Sequence, residues 1–168
     1  MRNYLKKLHV SRSGVVFFTP VLMLFLVYLL FYFMNWEINP TPRVSLGRYV
    51  FICNMNPPKS IQKGDNIAFR FPTDTPYFKK GDKFIKIAGC MPGDKLTIDD
   101  SKNYFCNDYW LGKALDTDSN GKPAVHFTYS GAIPDGKVFV FGTHVRSYDS
   151  RYWGFVDIAS IEGKCYGY

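Results

Sequence analysis

The chain has 168 residues, enough for one domain of ordinary size plus an accessory segment. Its 21 Lys and Arg against 14 Asp and Glu give a formal charge of +7. The excess is uneven: Arg2, Lys6, Lys7 and Arg12 precede every acid, and the rest carries 17 basic against 14 acidic residues. A basic surplus gathered ahead of an apolar run is a membrane-topology signal, and it argues against nucleic acid as a partner.

That run follows at once. Residues 13–36 hold no charge, and 15–34 are nearly all Val, Leu, Phe, Tyr and Met, about the 20 residues a helix needs to cross a bilayer. Pro20 falls in the first turn or so, where a missing N–H costs little. Trp36 is placed as an interfacial anchor. A cleaved secretory leader is the alternative, but the run is long for one and no small-x-small site follows it. The pattern predicts a transmembrane helix over 14–36 in contact with lipid, residues 1–13 in the cytoplasm and residues 37–168 exported. Residues 35–43, with Pro40 and Pro42, form a hinge.

Beyond the hinge the pattern is β. Segments 48–53, 66–71, 83–87, 95–98, 125–129 and 137–141 are short, rich in aromatic and β-branched residues, and often alternate. Gly81-Asp82, Pro92-Gly93-Asp94, Asn120-Gly121 and Pro134-Asp135-Gly136 are among the turn signals that separate them. Residues 108–123 read as a long surface loop, and no helix of a dozen residues is expected after the hinge. The fold class is mainly antiparallel β on one N-terminal transmembrane helix. Cys53, Cys90, Cys106 and Cys165 all lie in the exported part. Disulfides are the default there, and with no Cys-x-x-Cys and only His126 and His144 to help, no metal or other cofactor is expected. Three connectivities are open. The sequence does not choose among them, beyond a lean toward Cys90–Cys106 with Cys53–Cys165 because the first closes a short loop.

Three stretches carry chemistry: Val44-Ser45-Leu46-Gly47-Arg48-Tyr49 just after the hinge, Phe84-Ile85-Lys86-Ile87-Ala88-Gly89-Cys90-Met91-Pro92-Gly93-Asp94, and Ser147-Tyr148-Asp149-Ser150-Arg151-Tyr152-Trp153-Gly154-Phe155-Val156. In this order they resemble the boxes of the bacterial type I signal peptidases, membrane-anchored serine proteases with a Ser-Lys dyad. The compact chain and the Ser-Leu-Gly-Arg-Tyr box are most similar to the conjugative-transfer, TraF-like pilin-processing branch. The resemblance implies a signal-peptidase-like β domain in the periplasm, anchored in the inner membrane. Its partner would be a membrane-embedded precursor protein or pilin, cut after a small residue or, in the pilin branch, cyclised through the acyl-enzyme.

The residues fit such roles. A serine hydroxyl needs an adjacent base to act as a nucleophile, and Ser45 lies nine residues beyond Trp36, close to the membrane surface. Lys86 is the proposed base. It must be neutral, and burial lowers a lysine pKa. Strand alternation puts Phe84 and Ala88 on its face, with Ile85 and Ile87 on the other. Ser147 would orient the Lys86 amine, and Asp149 with Arg151 would hold the Ser147 loop by an ion pair. Two departures stand out. Gly142-Thr143-His144 replaces the family's Gly-Asp-Asn, and Ile87 replaces the Arg that usually follows the lysine. These are two residues that can pair in the family, and both are missing here. Arg43 stands where many members have Ser or Gly near the oxyanion hole, which leaves the Ser45 N–H, and Thr41 as a substitute, to donate there. The competing readings are a non-catalytic β domain of a conjugation or secretion assembly, and a triad of a serine with Asp149 and His126 or His144.

Overall fold

The computed structural model describes residues 12–40 and 45–168, with side chains from residue 19 onward in the first stretch. Arg43 and Thr41, the oxyanion-hole candidates, lie outside the described residues, as does most of the expected cytoplasmic segment. The chain divides after Trp36 into two compact units. In the first, helix α1 (Arg12–Phe33) takes up the apolar run. Among its described side chains, from residue 19 onward, most of the large apolar ones are half or more exposed, Val21 at 64% and Phe33 at 79%. It stops three residues short of the expected 36. Asn35 adopts a left-handed φ of 58°, a conformation that closes helices, and Trp36 opens the next strand. No helix among the described residues is long and apolar enough to cross a membrane.

The remaining strands are β1 (Trp36–Pro40), β2 (Val50–Asn54), β3 (Asn66–Arg70), β4 (Lys83–Cys90), β5 (Lys95–Ile98), β6 (Asn103–Cys106), β7 (Tyr109–Lys113), β8 (Gly131–Ala132), β9 (Lys137–Phe141), β10 (Val156–Asp157) and β11 (Ile161–Gly167). A one-turn helix α2 (Ser150–Trp153) and a 3-10 turn (Ile158–Ser160) complete the unit. Seven strands make one sheet in the order β1-β2-β11-β3-β4-β9-β10, and four make a second, β7-β6-β5-β8. Every strand pair of known register is antiparallel. The mainly antiparallel β class expected from the sequence is the fold observed.

Alternation sorts the core of the large sheet. Ile67, Phe69, Ala88, Val138 and Val140 cluster on one face with Phe84. Phe51, Cys53, Ala68 and Cys165 cluster on the other with Ile85 and Ile87. Lys86 pairs with Ile67 across β3, so its side chain enters the first cluster's face. The β4–β9 register slips between Ala88 and Cys90. One extra residue reverses the face that a strand presents. Cys90 thus turns away from Ala88's cluster and joins Leu96, Tyr104, Cys106, Leu111 and Phe139 against the small sheet. Gly89 occupies the bulge because a Cβ there would lie 2.7 Å from Phe141 Cδ1.

Several elements differ from the sequence reading. Segment 125–129 forms no strand: the Phe127 N–H donates to the Arg151 carbonyl and its own carbonyl accepts from Tyr104 Oη, at 2.9 and 2.6 Å. The supposed loop 108–123 contains β7, reached from β6 through Asn107 and Asp108, both left-handed at φ 46° and 68°. That is the conformation of a tight hairpin turn. β11 was not expected at all. Its inward positions are Ile161, Gly163 and Cys165, and a glycine among them hides the apolar alternation.

Both disulfides follow the pairing toward which the sequence leaned. Cys53–Cys165 joins register partners on β2 and β11, and Cys90–Cys106 joins the two sheets. Their sequence separations are 112 and 16 residues. Loop-closure entropy rises with length, to about 5 kcal/mol for the longer loop and about 3 for the shorter. Replacing Cys53 and Cys165 by Ser should therefore lower the denaturant midpoint more than replacing Cys90 and Cys106, as measured by urea unfolding.

Candidate active site

A cleft of about 1270 Å³ opens on the large sheet, and Ser45, Lys86, His144, Ser147 and Tyr148 all line it. β4 carries Lys86 into its wall. Only 6% of the residue is exposed, and its Nζ lies 5.8 Å from the centre of the Phe84 ring and 2.9 Å from Ser147 Oγ. Burial drives its pKa down from the ordinary value near 10.5; the Asp149 carboxylate opposes that shift and the Arg151 guanidinium adds to it. A buried amine that gives up its proton readily and is oriented by a hydroxyl is equipped to act as a base.

Ser147 is held by its loop. Its N–H donates to the His144 carbonyl at 2.9 Å. Behind it lies the pair formed by Asp149, fully buried, and Arg151, 2% exposed. Arg151 Nε and Nη2 reach the two carboxylate oxygens at 2.7 and 2.6 Å. Asp149 also accepts from the Gly142 N–H at 2.9 Å and caps α2. Burial works against the Arg151 charge, but its bonds to Asp149 outweigh this and hold its pKa above the ordinary value. Nη1 bonds the Lys113 carbonyl on β7 at 2.9 Å. The pair thus ties the small sheet to the Ser147 loop.

Ser45 approaches from the other side. Leu46, 9% exposed, plugs into the core beside Phe51, and Gly47 turns the chain with φ 69°. The Ser45 carbonyl accepts from the His144 N–H at 3.1 Å and from Thr143 Oγ1 at 3.4 Å. A Cβ on Gly142 would strike Ser147 Oγ and lie 2.8 Å from Ser147 Cβ and 2.9 Å from the Ser45 carbonyl oxygen. Gly142 is therefore where the Ser45 backbone and the Ser147 side chain come together. No hydrogen bond joins Ser45 Oγ to Lys86 Nζ among the described residues; Lys86 bonds Ser147.

In the sequence Thr143 stands out only as a departure and His144 as a departure and a triad candidate, yet it is the Ser45 carbonyl that both fasten. Their adjacency to Gly142, the residue next to β9, was the available signal. Neither histidine meets Asp149. His126 Nε2 lies 2.9 Å from the Leu115 carbonyl and His144 Nδ1 accepts the Arg146 N–H, while Arg151, its N–H and the Gly142 N–H occupy the carboxylate. The triad reading has no geometric counterpart here. Cys90, Asp94 and Cys106 bring potential metal-ligand atoms together among the described residues, but both thiols are spent in the disulfide.

The sequence pattern of the family described as signal peptidase, peptidase S26, matches residues 11–166, and the chain belongs to that family. It is 32% identical over 107 residues to "Probable signal peptidase I-2" of Synechocystis sp., covering 62% of this chain and 46% of that protein. The chain thus spans about half the length of this curated relative. The crystal structure of a signal peptidase I from Enterococcus faecalis V583 aligns over 63% of this chain and 97% of its own, with 29% identity and a TM-score of 0.43.

Removing one partner of a buried ion pair leaves an uncompensated charge, at about 3–5 kcal/mol. Asp149→Ala is expected to cost that much in urea unfolding, well above the effect of an exposed pair such as Arg70–Glu162 when Glu162→Ala removes its acid.

Proposed function

We propose that the chain is a membrane-anchored serine endopeptidase that cuts an exported precursor after a small residue. Ser45 Oγ attacks the scissile carbonyl, and Lys86 Nζ takes the hydroxyl proton and passes it to the leaving amine. The resulting acyl-enzyme is resolved by water or, in a pilin, by the substrate's own amino terminus. Ser147 orients the amine, the Ser45 N–H faces the developing oxyanion, and Asp149 with Arg151 holds the loop. The observation that carries this reading is Lys86: an amine 6% exposed, bonded to a serine and sharing one cleft with Ser45. A membrane anchor in the N-terminal segment, with the β unit in the periplasm, is supported by the exposed apolar side chains described between Val21 and Phe33 and by the basic residues before the apolar run. A conjugative pilin as substrate rests on the resemblance of the Ser45 box.

The non-catalytic reading draws on the missing Ser45–Lys86 hydrogen bond. One experiment separates the two: mass analysis of a co-expressed conjugative pilin or exported precursor, with and without Ser45→Ala. Loss of processing in the variant supports the peptidase; unchanged precursor with the parent chain rules it out for that substrate. Ser45→Ala and Lys86→Ala should each abolish turnover, and the double variant should be no worse than either, because the pair acts as a unit. His144→Ala should stay active if folded.

Activity should rise with pH through the lowered pKa of Lys86, since only the neutral amine accepts a proton. The same shift sets a stability window. The unfolded lysine holds its proton to higher pH than the folded one. The destabilisation is therefore full below the folded value, shrinks as pH climbs toward the unfolded value, and vanishes above it. Lys86→Met should be inactive yet at least as stable as the parent at neutral pH. A clear drop in its unfolding midpoint would mark Lys86 as a charged structural residue.

A further inference from the structure

The cleft wall beside Ser147 is an aromatic assembly that the mechanism above does not use. Tyr148 follows Ser147 directly. Its ring is stacked between Phe78 at 5.6 Å and Tyr152 at 5.5 Å, with interplanar angles of 23° and 24°. Tyr77 meets it edge-on at 5.3 Å. The Thr75–Phe78 turn is braced by its own bonds: the Thr75 N–H donates to the Phe78 carbonyl at 2.8 Å and the Phe78 N–H to Thr75 Oγ1 at 3.1 Å. Tyr77 Oη donates to Asp118 on the other loop lining the cleft at 2.9 Å. Phe78 in turn packs edge-on against Phe84 at 4.8 Å, the ring beside the Lys86 amine.

Two contact paths therefore run from Tyr148 to one nitrogen, through the peptide bond to Ser147 and through Phe78 and Phe84. We infer that Tyr148 is a positioning residue for the Lys86–Ser147 pair: its clamp holds Ser147 in place and keeps water off the amine. The inference rests on the peptidase reading for its catalytic meaning. A serine set on a clamped neighbour keeps its Oγ at the Lys86 amine, and so holds the space that water would otherwise enter to solvate the charged form. Aromatic faces also supply rigid cover at little entropic cost, because each ring has only two side-chain torsions.

The charged groups around the amine leave room for this effect. Asp149 and Arg151 act on it with opposite sign. On its own strand Lys83 is paired with Glu37. β3 and β9 present Ile67 and Val140 to its face. His144, Arg146, Asp74 and Asp118 line the cleft, and Asp118 is engaged by Tyr77 and by the Asn120 and Lys122 N–H groups.

The test uses the full chain in detergent micelles and two readouts: NMR titration of the Lys86 Cε resonance, and kcat and KM against pH on a precursor peptide. Tyr148→Ala should raise the pH at which Lys86 titrates and move the acid limb of kcat with it, by about tenfold in kcat near neutral pH for each unit. Rate should recover at alkaline pH and KM should change little. Tyr148→Phe keeps the stacking and should stay within about twofold of the parent. Phe78→Ala, which removes a stacking partner and the contact to Phe84, should shift both readouts as Tyr148→Ala does, and it serves if that variant does not fold. Titration of Lys86 at the parent's pH in the folded alanine variants overturns the inference, as does a kcat lowered by one factor at every pH. A parent chain that cleaves nothing would count against the peptidase reading, and the NMR titration would still decide the role of Tyr148.

Discussion

The ion pair between Asp149 and Arg151 organises the site more than any other interaction. Both residues are buried, and a buried pair of this kind gives little net stability because desolvation consumes most of the attraction. What it supplies is position. One carboxylate fixes the Gly142 N–H and caps α2, and one guanidinium reaches carbonyls of Gly142, Ser147 and Lys113. Two stretches far apart in sequence, β7 and residues 142–151, are held within one hydrogen-bonding radius. The small sheet even leaves space for the arrangement. Gly112 has φ 135°, and a side chain there would run into the guanidinium.

Set against that fixed loop, Lys86 is a local violation. The strand that carries it is otherwise apolar on the same face, with Phe84 and Ala88 as neighbours, and a packed hydrocarbon side chain would fit that surface without the cost of burying an amine. Sequences tend to break a folding rule where function requires it. The burial of Lys86 breaks such a rule, and it does so at the cleft that Ser45 and Ser147 also line.

Much of this was legible beforehand. The alternation of 83–87 placed Lys86 with Phe84 and against Ile85 and Ile87, and the packing follows that division. Strands 95–98 and 137–141 stand at their expected bounds. Where the reading went astray, backbone conformation or small side chains carried the information. Asn107-Asp108 has no glycine to announce a hairpin. Gly163 faces inward where an apolar residue would have marked β11. Segment 125–129 has strand composition, but its hydrogen bonds go to the α2 turn and to Tyr104. The fastening of the Ser45 carbonyl by Thr143 and His144 depends on a contact across about a hundred residues, and no local pattern encodes it.

β11 lies between β2 and β3 in the large sheet, although Cys165 and its partner Cys53 are 112 residues apart in the chain. Contacts of that separation are slow to form, because the loop must close before the pairing stabilises it. Until β11 arrives, β2 and β3 each present an open ladder of unpaired N–H and C=O groups, the kind of edge on which chains aggregate. A chain made in sequence order therefore meets its most vulnerable moment late. Holding chaperones, and the timing of Cys53–Cys165 oxidation, would then govern its yield more than the stability of the finished fold.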